Sequence, residues 1–293
     1  MFNPKILMMI SCLLPFITLA KDVVRINKGQ DSHTQYKMII LQTALAVTEK
    51  KYGDYEVIIN GPPTTIKRAI MEIKSGNTIN AFMAVTTPAW EKNTLVIRIP
   101  VRRGILNYRL LSVHKNNLDK FANVHTLDDL KKLQGGVRIG WATTAVLKSH
   151  AFKLFEANTL RGLYHMLENN RVDYIPRGAN EIYNELLLRK NSHPNLVVEP
   201  SLALYIPAPY YIFISPKEAK LAQRIEEGLE LMIADGSLER IFYQHYADNI
   251  KRANLANRRI ITIGNPFLPV ETPLARKELW FENDPQMQSL ELH

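Results

Sequence analysis

The sequence predicts an α/β protein of two lobes, the second inserted into the first, on three observations. Strand-like and helix-like segments alternate along most of the 293 residues, the pattern that lays helices on largely parallel sheets. Two strand-like crossings, near Leu110–Val113 and near Leu204–Tyr210, bracket a compact stretch with its own alternating order, so two strands that can hinge join the lobes. The chain is long enough for two cores and carries no repeat and no low-complexity linker.

The elements follow in order. Lys5, an apolar run from Ile6 to Leu19 and the small residues Thr18 and Ala20 form the sequence of a secretory signal, too short and too weakly flanked for a membrane span. Residues 1–20 are therefore expected to be a signal peptide cut near Ala20, leaving a periplasmic protein; an uncleaved anchor is the alternative. Cys12 lies inside the run, so the mature chain has no cysteine and no disulfide or thiol chemistry. Val23–Asn27 reads as a strand and Tyr36–Lys51 as a helix with Ile39, Ile40, Ala44 and Val47 on one face. Glu56–Asn60 is a strand, Thr64–Lys74 a helix started by the Pro62-Pro63-Thr64-Thr65 turn, and Ile79–Val85 a strand. Strands Leu95–Val101 and Tyr108–Val113 lead out of this unit.

The second unit reads as helix Leu127–Leu133, strand Val137–Gly140, helices Ala145–Glu156 and Leu160–Asn169, strand Val172–Pro176, helix Ala179–Leu188 and strand Leu196–Glu199. Pro200, Pro207 and Pro209 punctuate the return, and strand Tyr210–Ser215 leads to a long helix with Leu221, Ile225, Leu229 and Met232 at helical spacing. Asp235-Gly236 breaks that helix, and Ser237 can cap another running through Leu238, Ile241 and Phe242.

The stretch from Gly228 to Phe242, GLELMIADGSLERIF, resembles the closing segment of the two-lobed extracytoplasmic solute-binding proteins of the polar amino-acid type. Three more segments carry the resemblance in the same order: Ile79–Pro88 (INAFMAVTTP), Thr126–Leu130 followed by Val137–Gly140, and Leu163–Tyr174 (LYHMLENNRVDY). It extends along the mature chain to about Asn249, while Ile99–Gly104 and the Asn265–Pro269 extension mark a divergent branch. The resemblance implies a periplasmic-binding-protein-like fold of type II. Lobe 1 would comprise residues 21–111 and 207–250, lobe 2 residues 112–206, and a C-terminal extension, 251–293, would pack on lobe 1. It also implies a monomer that captures a small polar or anionic ligand, amino-acid-like or an organic acid, by hinge closure and presents it to the membrane permease of an ABC-type transporter. Two other functions share the scaffold: an exported enzyme, dehydratase- or lyase-like, with Asp173 and Glu181 as the nearest acid–base groups, and a ligand sensor for an envelope signalling partner.

Amino-acid binders of this type hold the ligand carboxylate with an arginine shortly after the threonine-proline of the first-lobe strand, and the ammonium with an aspartate after the second-lobe aspartate motif. Here the corresponding positions are Trp90 and Gly178, with Arg177 beside the latter. A carboxylate without its bidentate arginine loses roughly 1.5–3 kcal/mol, so a zwitterionic amino acid gripped in the usual way is not expected. The candidate ligand groups are then Thr86 and Thr87 at the end of a strand, where open α/β sheets present ligand contacts, and Trp90 as a flat apolar wall. Trp141, Thr143 and Thr144 precede or open a helix, where hydroxyls and free amides cradle anions or simply cap the helix. Arg177 can replace the missing arginine from the opposite lobe. Strand alternation sends only one of Arg102 and Arg103 inward, and Arg103 is included in the site.

The formal charge of +9 fits an anionic ligand or envelope surface, whereas nucleic acid is excluded as a partner: the basic residues fall in scattered pairs such as Lys50-Lys51 and Arg258-Arg259, without a basic helix. No metal-ligand spacing, phosphate loop or dinucleotide fingerprint is present, the histidines stand apart, and no cofactor is expected.

Overall fold

The computed structural model describes residues 21–29 and 31–281. The expected signal peptide and its cut near Ala20 lie outside the described residues. The first unit runs β1 (Asp22–Ile26), α1 (Asp31–Ala46), α2 (Glu49–Tyr52), β2 (Tyr55–Ile59), α3 (Ile66–Ser75), β3 (Ala81–Val85), α4 (Pro88–Asn93) and β4 (Leu95–Ile97). β5 (Tyr108–His114) crosses into the second, which comprises α5 (Asp119–Ala122), α6 (Leu127–Lys131), β6 (Gly135–Arg138), α7 (Ala142–Ser149), β7 (Leu154–Ala157), α8 (Leu160–Glu168), β8 (Tyr174–Gly178), α9 (Ile182–Arg189) and β9 (Leu196–Val198). β10 (Leu202–Tyr205) crosses back to β11 (Tyr210–Ile214), α10 (Ala219–Ala234), α11 (Ser237–Ala253) and β12 (Arg259–Thr262). No helix among the described residues is long and apolar enough to cross a membrane.

Local chemistry sets many of these boundaries. Thr65, Thr87 and Thr159 each accept a backbone N–H at the start of α3, α4 and α8, and Thr126 with Asp129 forms a reciprocal capping box on α6. Gly76 ends α3 in the left-handed conformation, and Gly236 (φ 73°) makes the stop between α10 and α11.

In the first lobe β1 pairs with β2 in parallel, and β11 lies between β3 and β4, antiparallel to both. The buried amide of Asn80 joins the two sheets: Arg25 N donates to its Oδ1 at 2.7 Å and its Nδ2 donates to Val23 O at 2.8 Å. The sheet of the second lobe has the order β12-β10-β5-β8-β6-β7, with β9 also on β5. Both crossing strands, β5 and β10, belong to it and pair antiparallel with each other. Separate cores fill the lobes, one around Tyr36, Ile225, Leu229 and Phe242, the other around Leu111, Val137, Leu147 and Leu204.

α1 and α10 approach closely enough to exclude a side chain at Gly228. A Cβ there would meet Ala44 O at 2.1 Å, a backbone atom that cannot swing aside. Gly228→Ala is expected to force the helices apart and destabilise the protein by about 2 kcal/mol, within the range of overpacked sites, despite alanine's better helix propensity. Urea unfolding followed by circular dichroism checks this, and an unchanged or raised midpoint would contradict the packing described.

Three expectations are corrected. The helix expected over Ala145–Glu156 stops at Ser149, the chain reverses through Ala151 in the left-handed region (φ 59°), and Leu154–Ala157 becomes β7, parallel to β6. The strand expected over Leu95–Val101 ends at Ile97, and the chain then turns through Arg103 (φ 45°) and Gly104 (φ 75°). The C-terminal extension does not pack on the first lobe alone. β12 pairs in parallel with β10 and places Ile261 and Ile263 in the second core, whereas Leu279, Trp280 and Phe281 pack in the first. Its apolar residues fall into two groups, and each finds the nearer core. Asn265 Nδ2, donating to Pro207 O at 2.7 Å, fastens the span between them to the return crossing.

Candidate ligand-binding cleft

A cavity of about 300 Å³ opens between the two lobes beside the hinge. The first lobe contributes the end of β3, the start of α4 and Tyr210 at the start of β11; the turn after β4 brings Arg102 and Leu106. The second lobe contributes Arg109 from β5, Trp141 and Thr143 at the start of α7, Arg177 from β8, and Glu181. Gly140 (φ 84°) makes the turn that releases β6 into α7 and puts Trp141 at the cavity wall.

Of the residues expected from the sequence, Thr87, Trp90, Trp141, Thr143 and Arg177 line this cavity. Thr87 is also the N-cap of α4, accepting Trp90 N at 3.4 Å. Thr86 is buried just outside, its hydroxyl donating to Glu91 Oε1 at 2.5 Å. Thr144 donates to Arg138 O at 2.9 Å and serves the turn rather than the cavity. Trp90 is fully buried, stacked between Phe82 and Phe213 at 5.0 and 4.7 Å, so it reaches the cavity only as the back of a core sandwich.

Arg103 points away from the cavity. It pairs with Glu239 at 2.9 Å and donates to Trp280 O at 3.0 Å. Arg102 is the inward member of the pair. Only one of the two faces inward, as expected, but it is Arg102 and not Arg103: these residues occupy a turn and not a strand, and Arg103 in the left-handed conformation is rotated toward α11 and the extension.

Arg177 is at the wall, but its charge is already committed. It forms a bidentate pair with Glu185, at 2.8 and 2.6 Å, and a further pair with Glu181 at 2.9 Å, while Trp141 stacks on its guanidinium at 4.3 Å. Glu185 also accepts Tyr164 OH at 2.8 Å. Arg177 therefore orders two carboxylates and an indole. Asp173, the other acid considered for catalysis, does not line the cavity; it accepts from Lys120 at 2.7 Å and Gln134 N at 2.8 Å.

The groups that carry most of the free cationic character are Arg102 and Arg109. Both are buried, and neither guanidinium has a hydrogen-bond partner among the described residues; the Nε of each is enclosed without one. Arg102 lies over the ring of Tyr210 at 3.9 Å. Burial pushes the Arg109 guanidinium down to about 10; Glu181 opposes the shift, and Arg177 and Arg102 add to it. Burial would raise the Glu181 carboxyl, but Arg177, Arg109 and Arg102, together with the Gly178 amide, overcome that and hold it below its ordinary value. Sequence reasoning passed over Arg109. Its one signal is that it is the sole arginine or lysine in the wholly buried strand YRLLSVH, a placement that demands a partner or a ligand.

Two packed α/β lobes, one inserted in the other, joined by crossing strands with a cavity at the hinge, define a periplasmic-binding-protein-like fold of type II. The structure is similar to an ancestral arginine-binding protein bound to arginine (TM-score 0.55, 20% identity, 77% of this chain and 97% of that one). It is similar also to an ancestral amino acid-binding protein described as a precursor of cyclohexadienyl dehydratase (TM-score 0.53, 16% identity, 77% and 95%). A third likeness is to a histidine kinase sensor domain with similarity to periplasmic binding proteins (TM-score 0.50, 15% identity, 77% and 95%). No protein-family model matches the sequence, and no curated protein matches it.

Proposed function

We propose that the chain is a periplasmic solute-binding protein that closes on a small anionic ligand and presents the closed form to the permease of an ABC-type transporter. The proposed lobes are residues 21–111 with 207–250, and 112–206, with the boundary strand β5 carried on the sheet of the second lobe, so that Arg109 acts from that side. The supporting observation is the cationic surplus of the cleft: Arg177 is paired with Glu185 and Glu181, while Arg102 and Arg109 line the cavity without a hydrogen-bond partner among the described residues. No covalent chemistry is needed. Ligand oxygens that meet Arg102 and Tyr210 on one side and Arg109 and Thr143 on the other are satisfied together only when the cleft shuts, so the ligand's preference for the closed state shifts the population.

A thermal-shift screen of organic acids, amino acids, amines and sugars tests this. Organic acids are expected to raise stability by RT ln(1 + [L]/Kd), about 2.7 kcal/mol at a hundredfold excess over Kd, with compaction in small-angle scattering. Stabilisation by an amine or a neutral sugar alone would overturn the proposal.

The catalytic alternative needs a carboxyl able to exchange a proton near neutrality. Glu181, held charged beneath three guanidiniums, is poorly suited to that role. The sensing alternative uses the same closure, and uptake of radiolabelled ligand by cells with and without the protein separates it from transport.

A further inference from the structure

We infer that the ligand is an amphipathic monoanion: one carboxylate, or an equivalent oxyanion, on an apolar aliphatic or aromatic body, without an ammonium group. This deepens the reading of the cleft as a ligand site and rests on it.

Charge balance fixes the first part. Lys37 stays outside the lining, its Nζ 5.2 Å from the centroid of the Phe82 ring; among the described residues the ionic groups at the cavity are Arg102, Arg109 and Arg177, with Glu181 at the wall and Glu185 behind Arg177. Their sum is one positive charge. A single negative charge neutralises it; a dianion overshoots it in a site where uncompensated charge is costly. A zwitterionic amino acid adds an ammonium among three guanidiniums. The lining carboxylate that would receive it, Glu181, already accepts Arg177 at 2.9 Å and Gly178 N at 3.2 Å.

Donor geometry fixes the head group. Arg102 and Arg109 enter the cavity from different elements, and both lack hydrogen-bond partners among the described residues. Guanidinium forks match the lone pairs of a carboxylate, which accepts about four hydrogen bonds. Thr143, at the start of α7, also lines the cavity.

The remaining wall fixes the body of the ligand. Ile66, Phe82, Met83, Val85 and Leu106 also line the cavity and give it an apolar share of wall, and its volume of about 300 Å³ lies at the small end of ligand sites. A small, strongly hydrated acid would leave that surface unused.

The test is calorimetry on the mature protein with matched probes: 3-phenylpropanoate and 4-methylpentanoate, their amino-acid counterparts phenylalanine and leucine, the neutral 3-phenylpropanamide, and the dianion succinate. At least one of the two monocarboxylates is expected to bind ten-fold or more tightly than its amino-acid counterpart, the amide and succinate. Arg102→Gln and Arg109→Gln are each expected to weaken that binding about ten- to a hundredfold. Because the matched series is read on the unaltered protein, it decides the question even if a variant misfolds. Equal or tighter binding of an amino acid or of succinate, abolished by Arg109→Gln, would overturn this inference while leaving the anion-binding cleft standing. Millimolar concentrations of every anionic and amino-acid probe without heat would overturn both.

Discussion

Arg224→Met is expected to lower the stability of the protein by about 3–5 kcal/mol, as when one partner of a buried ionic network is removed. Arg224 is completely buried on α10 and its guanidinium serves four other segments. Nη1 donates to Asp22 Oδ2 at 2.7 Å and Asp54 O at 3.3 Å, Nη2 to Leu45 O at 3.2 Å and Gly53 O at 2.7 Å, and Nε to Thr48 Oγ1 at 3.2 Å. The residue thereby satisfies carbonyls at the end of α1 and in the turn before β2, and fastens the start of β1. Methionine fills comparable volume but donates nothing, so those carbonyls and the Asp22 carboxylate lose their partner. Arg224→Lys is expected to recover only part of the loss, because a point charge cannot span the same fork. Urea unfolding monitored by circular dichroism measures both; a loss below about 1 kcal/mol for Arg224→Met would show that the network contributes little.

Trp90→Ala is expected to cost about 3–5 kcal/mol, the range for truncating a buried aromatic ring. The indole is stacked between Phe82 and Phe213 with interplanar angles of 19° and 17°, and neither neighbour can fill the space without moving strands β3 and β11. Trp90→Phe keeps part of the stack and is expected to lose much less. If Trp90 were mainly a ligand platform, the pattern would reverse: near-native stability with a large loss of affinity. Denaturation midpoints together with calorimetry on both variants distinguish these outcomes.

Much of this architecture was legible in the sequence because its signals are local. The Pro62-Pro63-Thr64-Thr65 turn, the Asp235-Gly236 stop and the period of Leu221, Ile225, Leu229 and Met232 each report on a few adjacent residues. β7 was hidden because Ala151 takes a left-handed conformation that no glycine or asparagine announces, so the helix pattern appeared to run on. Arg103 was misplaced for a similar reason, since its positive φ lies in a turn that reads as a strand. In the cleft, positions were easier to find than partners. Arg177 lies at the end of β8 and Glu185 within α9, so their ion pair comes from the turn between the two elements, and the unpartnered state of Arg102 and Arg109 depends on the packing of both lobes.

The late arrival of β11 and β12 in the chain bears on how the molecule folds. β11 sits between β3 and β4, pairing Tyr211 with Ala84, although the whole inserted lobe separates them in sequence. β12 covers β10 at the margin of the second lobe's sheet, pairing Ile261 with Leu204. A growing chain that has reached the return crossing therefore holds β3 and β4 without the strand between them and β10 with one side open, leaving strand edges available for misassociation. Pairings over such separations incur their loop-closure entropy before any contact rewards it, which slows folding. Neither the β3-β11-β4 sheet nor the sheet of the second lobe can be completed until β11 and β12 have been made.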